Sequence, residues 1–190
     1  TTICSYNQDN MDALSEVVQK VHSGGEWCIN IVRGESRNPN SKDIDLNNYK
    51  KANNIIDRNI KNGSYKGYSG HLTSGWLSAK NAARRKIIYK ILNNSYKGGG
   101  CSAGSLGGVI YPDGSVFACE MLNKPIGNLH EYDFNLSEIW NSENARKLRN
   151  WIQETNCICT HECTLSTNFL IQPRTWPSLI AERFKLLVYS

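Results

Sequence analysis

Cysteine placement constrains this chain more than any other feature. Of seven cysteines, five fall between positions 101 and 163, and three of those, Cys157, Cys159 and Cys163, lie within seven residues. A disulfide framework usually belongs to a short secreted chain led by a signal peptide. Thr1 to Asn10 is neither basic nor continuously apolar and does not read as a signal peptide. The clustering therefore points to metal ligands in a reducing compartment, and the expected location is cytoplasmic. Cys4 and Cys28 stand apart in β-like apolar runs and read as core residues.

The cysteines are spaced for a split site. Cys101 precedes and Cys119 ends the run Gly108-Val-Ile-Tyr-Pro-Asp-Gly-Ser-Val-Phe-Ala-Cys119, which reads as a β-hairpin turning at Pro112-Asp113-Gly114. A hairpin folds back on itself, so both thiols can lie at one end. Cys159 and Cys163 are separated by three residues, a spacing that lets one turn or short helix clamp two corners of a site. Cys157 is either a spare or the alternate to one of that pair. Four thiolates satisfy an iron–sulfur cluster or one tetrahedral zinc. Structural zinc more often uses two tight Cys-x-x-Cys knuckles, so the split spacing favours iron–sulfur and keeps a zinc-stabilised, non-catalytic binding module as the alternative. His161 lies inside the cluster and could ligate zinc; a supporting role beside the ligands is the simpler reading.

The rest of the chain reads as α/β. Thr1–Tyr6 and Trp27–Val32 have the character of strands, the second with little polar alternation, as in a parallel strand covered by helices. Between them Met11, Leu14, Val17, Val18 and Val21 recur at helical spacing, and Gly24-Gly25 is the expected stop. Leu46, Tyr49, Ile55, Ile56 and Ile60 mark a helix ending at Gly63, and Leu77, Ala83, Ile87, Ile88, Ile91 and Leu92 mark another. Two parallel strands with their helices are an incomplete sheet whose first strand would be an open edge, so the chain is expected to have continued upstream. The glycine run Gly98-Gly99-Gly100 marks a boundary. Beyond the hairpin, helices are expected from Leu136, around Ala145, Leu148 and Ile152, and from about Ser178. The expected domains are 1–97, 98–168 and a C-terminal helix over 169–190.

The net charge of +5 comes largely from scattered Lys and Arg such as Lys80, Arg84, Arg85 and Lys86, read as a solvated helix face. No zinc-finger, RNP or helix-turn-helix signature accompanies them, so no nucleic-acid partner is expected. No apolar run approaches the roughly 18 to 20 residues of a membrane span, and no membrane partner is expected.

Taken in order, Cys101-Ser-Ala-Gly104, Pro112-Asp-Gly-Ser-Val-Phe-Ala-Cys119, Ile126-Gly-Asn-Leu129, Ile139-Trp140 and Cys157-Ile-Cys-Thr-His-Glu-Cys163 form a recognisable series. It resembles the auxiliary-cluster region of radical S-adenosylmethionine (SAM) proteins, of the SPASM or shorter twitch type, over about residues 98 to 168. With five candidate cysteines the one-cluster twitch form fits better. The resemblance implies a 4Fe–4S cluster on Cys101, Cys119, Cys159 and Cys163, with Cys157 as alternate. It implies a first half formed by the closing units of a partial (β/α) barrel, where Arg33 at a strand's carboxyl end could touch a ligand. The superfamily's Cys-x-x-x-Cys-x-x-Cys motif for the SAM-binding cluster occurs nowhere in this sequence. The resemblance thus implies the C-terminal portion of a radical SAM enzyme. Its S-adenosylmethionine site and the missing N-terminal half of the barrel would belong to a longer parent, and its substrate would be a peptide or small molecule.

Overall fold

The computed structural model describes residues 2–21, 26–65 and 73–187; Thr1 and the expected stop at Gly24-Gly25 lie outside them. The chain divides into two compact units, Thr1–Tyr96 with Phe169–Ser190, and Lys97–Asn168.

The first unit is built on two strands, β1 (Thr2–Tyr6) and β2 (Trp27–Ile31), paired in parallel from Thr2↔Trp27 to Tyr6↔Ile31. A parallel pair needs a crossover, and here it contains the helix α1 (Leu14–Lys20), shorter than its apolar pattern suggested. Burial along β2 alternates: Trp27, Ile29 and Ile31 are buried, whereas Cys28 and Asn30 are half-exposed. The pair therefore buries one face rather than two, and Ile3 is 63% exposed. Cys4 and Cys28 are likewise only partly buried, not core residues as their apolar neighbours suggested. Tyr6 closes the buried face. Its hydroxyl donates to the Asp45 carbonyl at 2.8 Å, and its ring stacks on Tyr49 with centroids 6.2 Å apart. Asp45 caps α2 (Leu46–Lys61) by accepting from the Asn47 N–H at 2.7 Å, which satisfies one of the free donors of the first turn.

Helix α3 (Ser74–Leu92) corrects the reading of its basic residues. Arg84 and Arg85 are buried, not solvated. The Arg85 guanidinium bonds Asp57 and lies 3.8 Å from the buried Glu26 carboxylate. Lys86 reaches Glu182 at 2.5 Å on the last helix of the chain (Trp176–Leu187), which packs along α3. Arg85 and Lys86 are paired with carboxylates from distant elements, a pairing that local charge density does not reveal.

The second unit carries an antiparallel sheet in the order β3 (Val109–Ile110), β4 (Ser115–Phe117), β5 (Pro125–Asn128). The hairpin turns at the expected residues. The Gly114 N–H donates to the Tyr111 carbonyl at 2.9 Å, and Gly114 has φ +81°, a conformation that glycine adopts without strain. The Asp113 carboxylate accepts from the Ser115 N–H and hydroxyl, both at 3.0 Å, and these bonds hold its pKa below the usual carboxylate value. Strand β5 was not anticipated, because it is short and opens with proline. Helices α4 (Leu136–Asn141) and α5 (Glu143–Glu154) are capped by Asn135 and Ser142. A third helix, α6 (Glu162–Ile171), starts inside the cysteine cluster; the unit's core is Val116, Ile126, Ile139, Leu148 and Ile152 with small alanines and two cysteines, Cys101 and Cys119. No helix among the described residues is long and apolar enough to cross a membrane.

Candidate metal centre

Cys101 and Cys119 lie within the core of the second unit, 7% and 8% exposed. Cys157 and Cys159 are half-buried, and Cys163 is exposed on the first turn of α6. Three of the thiols share one local geometry. Cys101 Sγ accepts the N–H of Ala103 at 3.4 Å, Cys119 Sγ that of Met121 at 3.3 Å, and Cys159 Sγ that of His161 at 3.4 Å. In each case the donor is two residues on. Such a turn fixes the direction of the sulfur and favours its anionic form, the form that ligates metal.

The surroundings hold these turns in place. The Ser102 N–H donates to Asn168 Oδ1 at 2.9 Å, and Gln153 Nε2 donates to the Cys101 carbonyl at 3.2 Å. Arg149 donates to the carbonyls of Gly104 and Trp140 at 3.1 and 2.9 Å. Gly104 has φ +73°, and a Cβ there would stand 2.9 Å from that of Ala118, so glycine is required both by conformation and by space. Asn168, Gln153 and Arg149 were not identified from the sequence. Their roles are bonds to backbone atoms distant in the chain, for which a local pattern carries no signal.

Burial pushes the Cys101 thiol up to about 11, against two-residue N–H support from Ala103 and with added repulsion from Cys157, Cys159 and Cys119. Cys157 is raised too, by burial first and then by Cys159 and Cys119. Cys101 and Cys157 thus lie within electrostatic reach of Cys119 and Cys159, a grouping of thiols whose charge a shared cationic centre would relieve. Among the described residues no three His, Cys, Asp or Glu side chains converge as around a single metal ion. A cluster of several irons is wider than one ion, so its thiolates need not meet at one point. The donor chemistry fits an iron–sulfur group: thiols in an apolar core, three of them already hydrogen-bonded from the backbone.

His161 is engaged on both ring nitrogens. Nε2 lies 2.5 Å from Glu120 Oε1 and Nδ1 2.9 Å from Thr164 Oγ1. Glu120, next to Cys119, is a partner that sequence spacing did not suggest. Together with Cys119, Cys163 and Ser102 these residues border a cleft of about 340 Å³. Arg33, two residues beyond β2, donates from Nη1 to the Ile31 carbonyl at 3.3 Å in the first unit.

No curated protein and no solved structure matches the chain. A family model does match part of it: residues 101–164 correspond to SPASM, described as an iron-sulfur cluster-binding domain. The match runs from the first cysteine of the site through the last, and it covers the hairpin, α4, α5 and all five clustered thiols. Residues 101–164 are therefore a SPASM-type iron–sulfur cluster-binding domain, and it is this segment of the chain that the family describes.

Proposed function

We propose that the Lys97–Asn168 unit holds one auxiliary cluster of the 4Fe–4S type, ligated by Cys101, Cys119, Cys159 and a fourth thiolate from Cys163 or Cys157. The observation that carries this reading is the repeated turn at Cys101, Cys119 and Cys159, where a backbone N–H two residues on already points at sulfur. The chain is then the C-terminal portion of a radical SAM enzyme of the cytoplasm, acting on a peptide or small molecule. The parallel β1–β2 pair with its intervening helix supports a place for the first unit among the closing units of a partial (β/α) barrel. The remaining half of that barrel, and the S-adenosylmethionine site, would lie in the longer parent.

When bound, the cluster supplies a one-electron acceptor or donor, or a Lewis-acidic anchor for substrate. The chain's own part is to set the environment. Apolar burial of Cys101 and Cys119 raises the cost of charge at the site, and the N–H donors of Ala103, Met121 and His161 offset it at three sulfurs. The Glu120–His161–Thr164 chain holds the imidazole against the cleft wall, so polar groups line the approach to Cys119.

Anaerobic reconstitution with iron and sulfide tests the reading. The expected result is a brown protein with broad visible absorption and iron and sulfide in equal amounts. Zinc bound in preference, with no colour, would instead establish the binding-module alternative. The purified, reduced chain alone is expected to form no 5′-deoxyadenosine, because no Cys-x-x-x-Cys-x-x-Cys is present.

A further inference from the structure

The last helix of the chain, α7 (Trp176–Leu187), has faces of different character. One packs on α3. Thr175, just before the helix, and Glu182 are buried there, and the Glu182 carboxylate accepts from Lys86 of α3 at 2.5 Å and from Lys185 at 2.8 Å. Another face carries Trp176, Ile180 and Phe184 at four-residue steps, which places them in one stripe along the helix. These three side chains are between 44% and 61% exposed. Leu170 and Ile171, also exposed, precede the stripe, and the Trp176 indole N–H donates to the Leu170 carbonyl at 3.2 Å, which ties the ring to that segment. Trp76, on the first turn of α3, is a further exposed ring. Its neighbour Gly75 lies against the Arg183 side chain of α7, where a Cβ would stand 2.5 Å from the guanidinium carbon. Large apolar side chains grouped in this way at the surface mark a contact face.

The charges carried by the two helices are almost all of one sign. Helix α3 has Lys80, Arg84, Arg85, Lys86 and Lys90 and no carboxylate. Arg174, Arg183 and Lys185 lie on or just before α7, where Glu182 is the sole carboxylate. Glu182 is buried and shared by two lysines, and Glu26 and Asp57, from other elements, face Arg85. Lys90, Arg174 and Lys185 are exposed, on stems that lie along apolar surface while the charged head stays in water. This charge decides what the face can meet. A second copy would present the same patch in a two-fold contact, cation against cation. An anionic lipid surface supplies apolar depth and negative headgroups together, and an apolar stripe of Trp, Ile and Phe beside Lys and Arg is the composition of a helix that lies in such an interface.

We propose that α7 is an interfacial helix, which seats Trp176, Ile180 and Phe184 at the headgroup–acyl boundary of a membrane containing anionic lipid, with Arg174 and Lys185 held to the headgroups. Its 12 residues are too few to span a bilayer, so it lies along the surface. The expectation of no membrane partner rested on the lack of a long apolar run, and a helix lying flat needs none. The proposal goes beyond the cluster reading and does not depend on it, because no residue of the Lys97–Asn168 unit takes part.

The test mixes the full chain with vesicles of phosphatidylcholine, alone or with about one third phosphatidylglycerol, and measures the protein that sediments with them. Wild type is expected to bind the anionic vesicles several-fold more than the neutral ones, and to lose that preference near 1 M salt, where the reach of surface charge shrinks to about 3 Å. Ile180→Ser combined with Phe184→Ser is expected to lower binding about tenfold, by removing apolar surface that the helix would bury. Arg174→Gln combined with Lys185→Gln is expected to remove most of the preference for anionic lipid. All four changes fall on exposed side chains, and each variant is compared with wild type only where its far-ultraviolet circular dichroism matches. Wild type that binds neither vesicle, or both equally, overturns the proposal, as does binding that survives Ile180→Ser with Phe184→Ser. A wild type that is dimeric by light scattering and becomes monomeric in that same variant assigns the face to a second copy and overturns it too.

Discussion

The two units solve the problem of burial differently. The first buries large side chains, among them Trp27, Tyr6, Tyr49, Leu14, Ile29, Ile56 and Ile88, and closes around a charge group of Arg85, Glu26 and Asp57. The second has few large apolar residues and gives core positions to two thiols and several alanines. A small core that spends interior volume on thiols needs another source of cohesion, and a bound group that joins distant thiolates supplies it. The first unit is held by packing and ion pairing that exist without any ligand. On the proposed cluster reading, the second is held in part by what its cysteines would bind.

The strongest way to break this comparison is to remove the cluster. Stripping it, or changing Cys119 to Ala, is expected to abolish hydrogen-exchange protection through residues 97–168 while the first unit keeps most of its own. Closing a loop of this length is worth about 3 to 4 kcal/mol by analogy with a cross-link, and ligation adds to it because the site forms only on folding. Equal protection with and without the cluster would show that the second unit needs no such cohesion.

The converse experiment targets the first unit. Arg85→Ala leaves the buried Glu26 and the neighbouring Asp57 without their cation. A loss of about 3 to 5 kcal/mol is expected, the usual cost of breaking a buried pair, with iron and sulfide binding by residues 97–168 retained. Denaturation with the cluster absorption followed in parallel separates the two effects. A change of under about 1 kcal/mol would place this arginine among ordinary surface pairs.

Alkaline titration sharpens the difference. In the metal-free chain Cys101 is held protonated up to about 11, from an ordinary thiol value of 9.0. Between those values the unfolded chain gives up its proton before the folded one does, so the folded state binds more protons and loses stability as pH rises. Stability of the metal-free second unit is therefore full below about pH 9 and falls through about pH 11. Chemical denaturation at several pH values under reducing, chelating conditions should show the fall, and Cys101→Ala should remove most of it.

The smallest effect lies in the hairpin. Gly114→Ala forces a left-handed residue to carry a Cβ that would meet His130 and Asn128 at 2.7 and 2.8 Å. A loss of about 1 to 2 kcal/mol confined to the second unit is expected from the conformation and the crowding. Thermal melts of the loaded protein are the check; no change would mean that the turn tolerates the residue by shifting its neighbours.

What could be read from the sequence follows how local each cause is. The hairpin was legible because Pro112, Asp113 and Gly114 encode a turn within four residues, and the helices α2 and α5 because their apolar positions recur at a fixed spacing. The SPASM-like region was legible because its cysteines cluster visibly between 101 and 163. Strand β5 was not, because its pairing with β4 depends on a partner several residues away and it opens with Pro125. Helix α6 was hidden by polar residues at Thr164, Ser166, Thr167 and Asn168, which favour helix weakly. The buried state of Arg84 and Arg85 was hidden for the same reason as Asn168 and Arg149: their partners sit far along the chain, and tertiary contact decides what local composition cannot.

One consequence of the chain's path concerns the order of its synthesis. The first unit is interrupted: its last helix, Trp176–Leu187, is encoded after the entire SPASM segment and packs on α3, where Glu182 meets Lys86. A ribosome adding roughly 5 to 20 residues per second therefore releases all five clustered cysteines before the first unit can close. The cofactor-accepting unit emerges while its neighbour is still incomplete. Iron delivery during translation would then meet the five cysteines before the Trp176–Leu187 helix has closed the first unit.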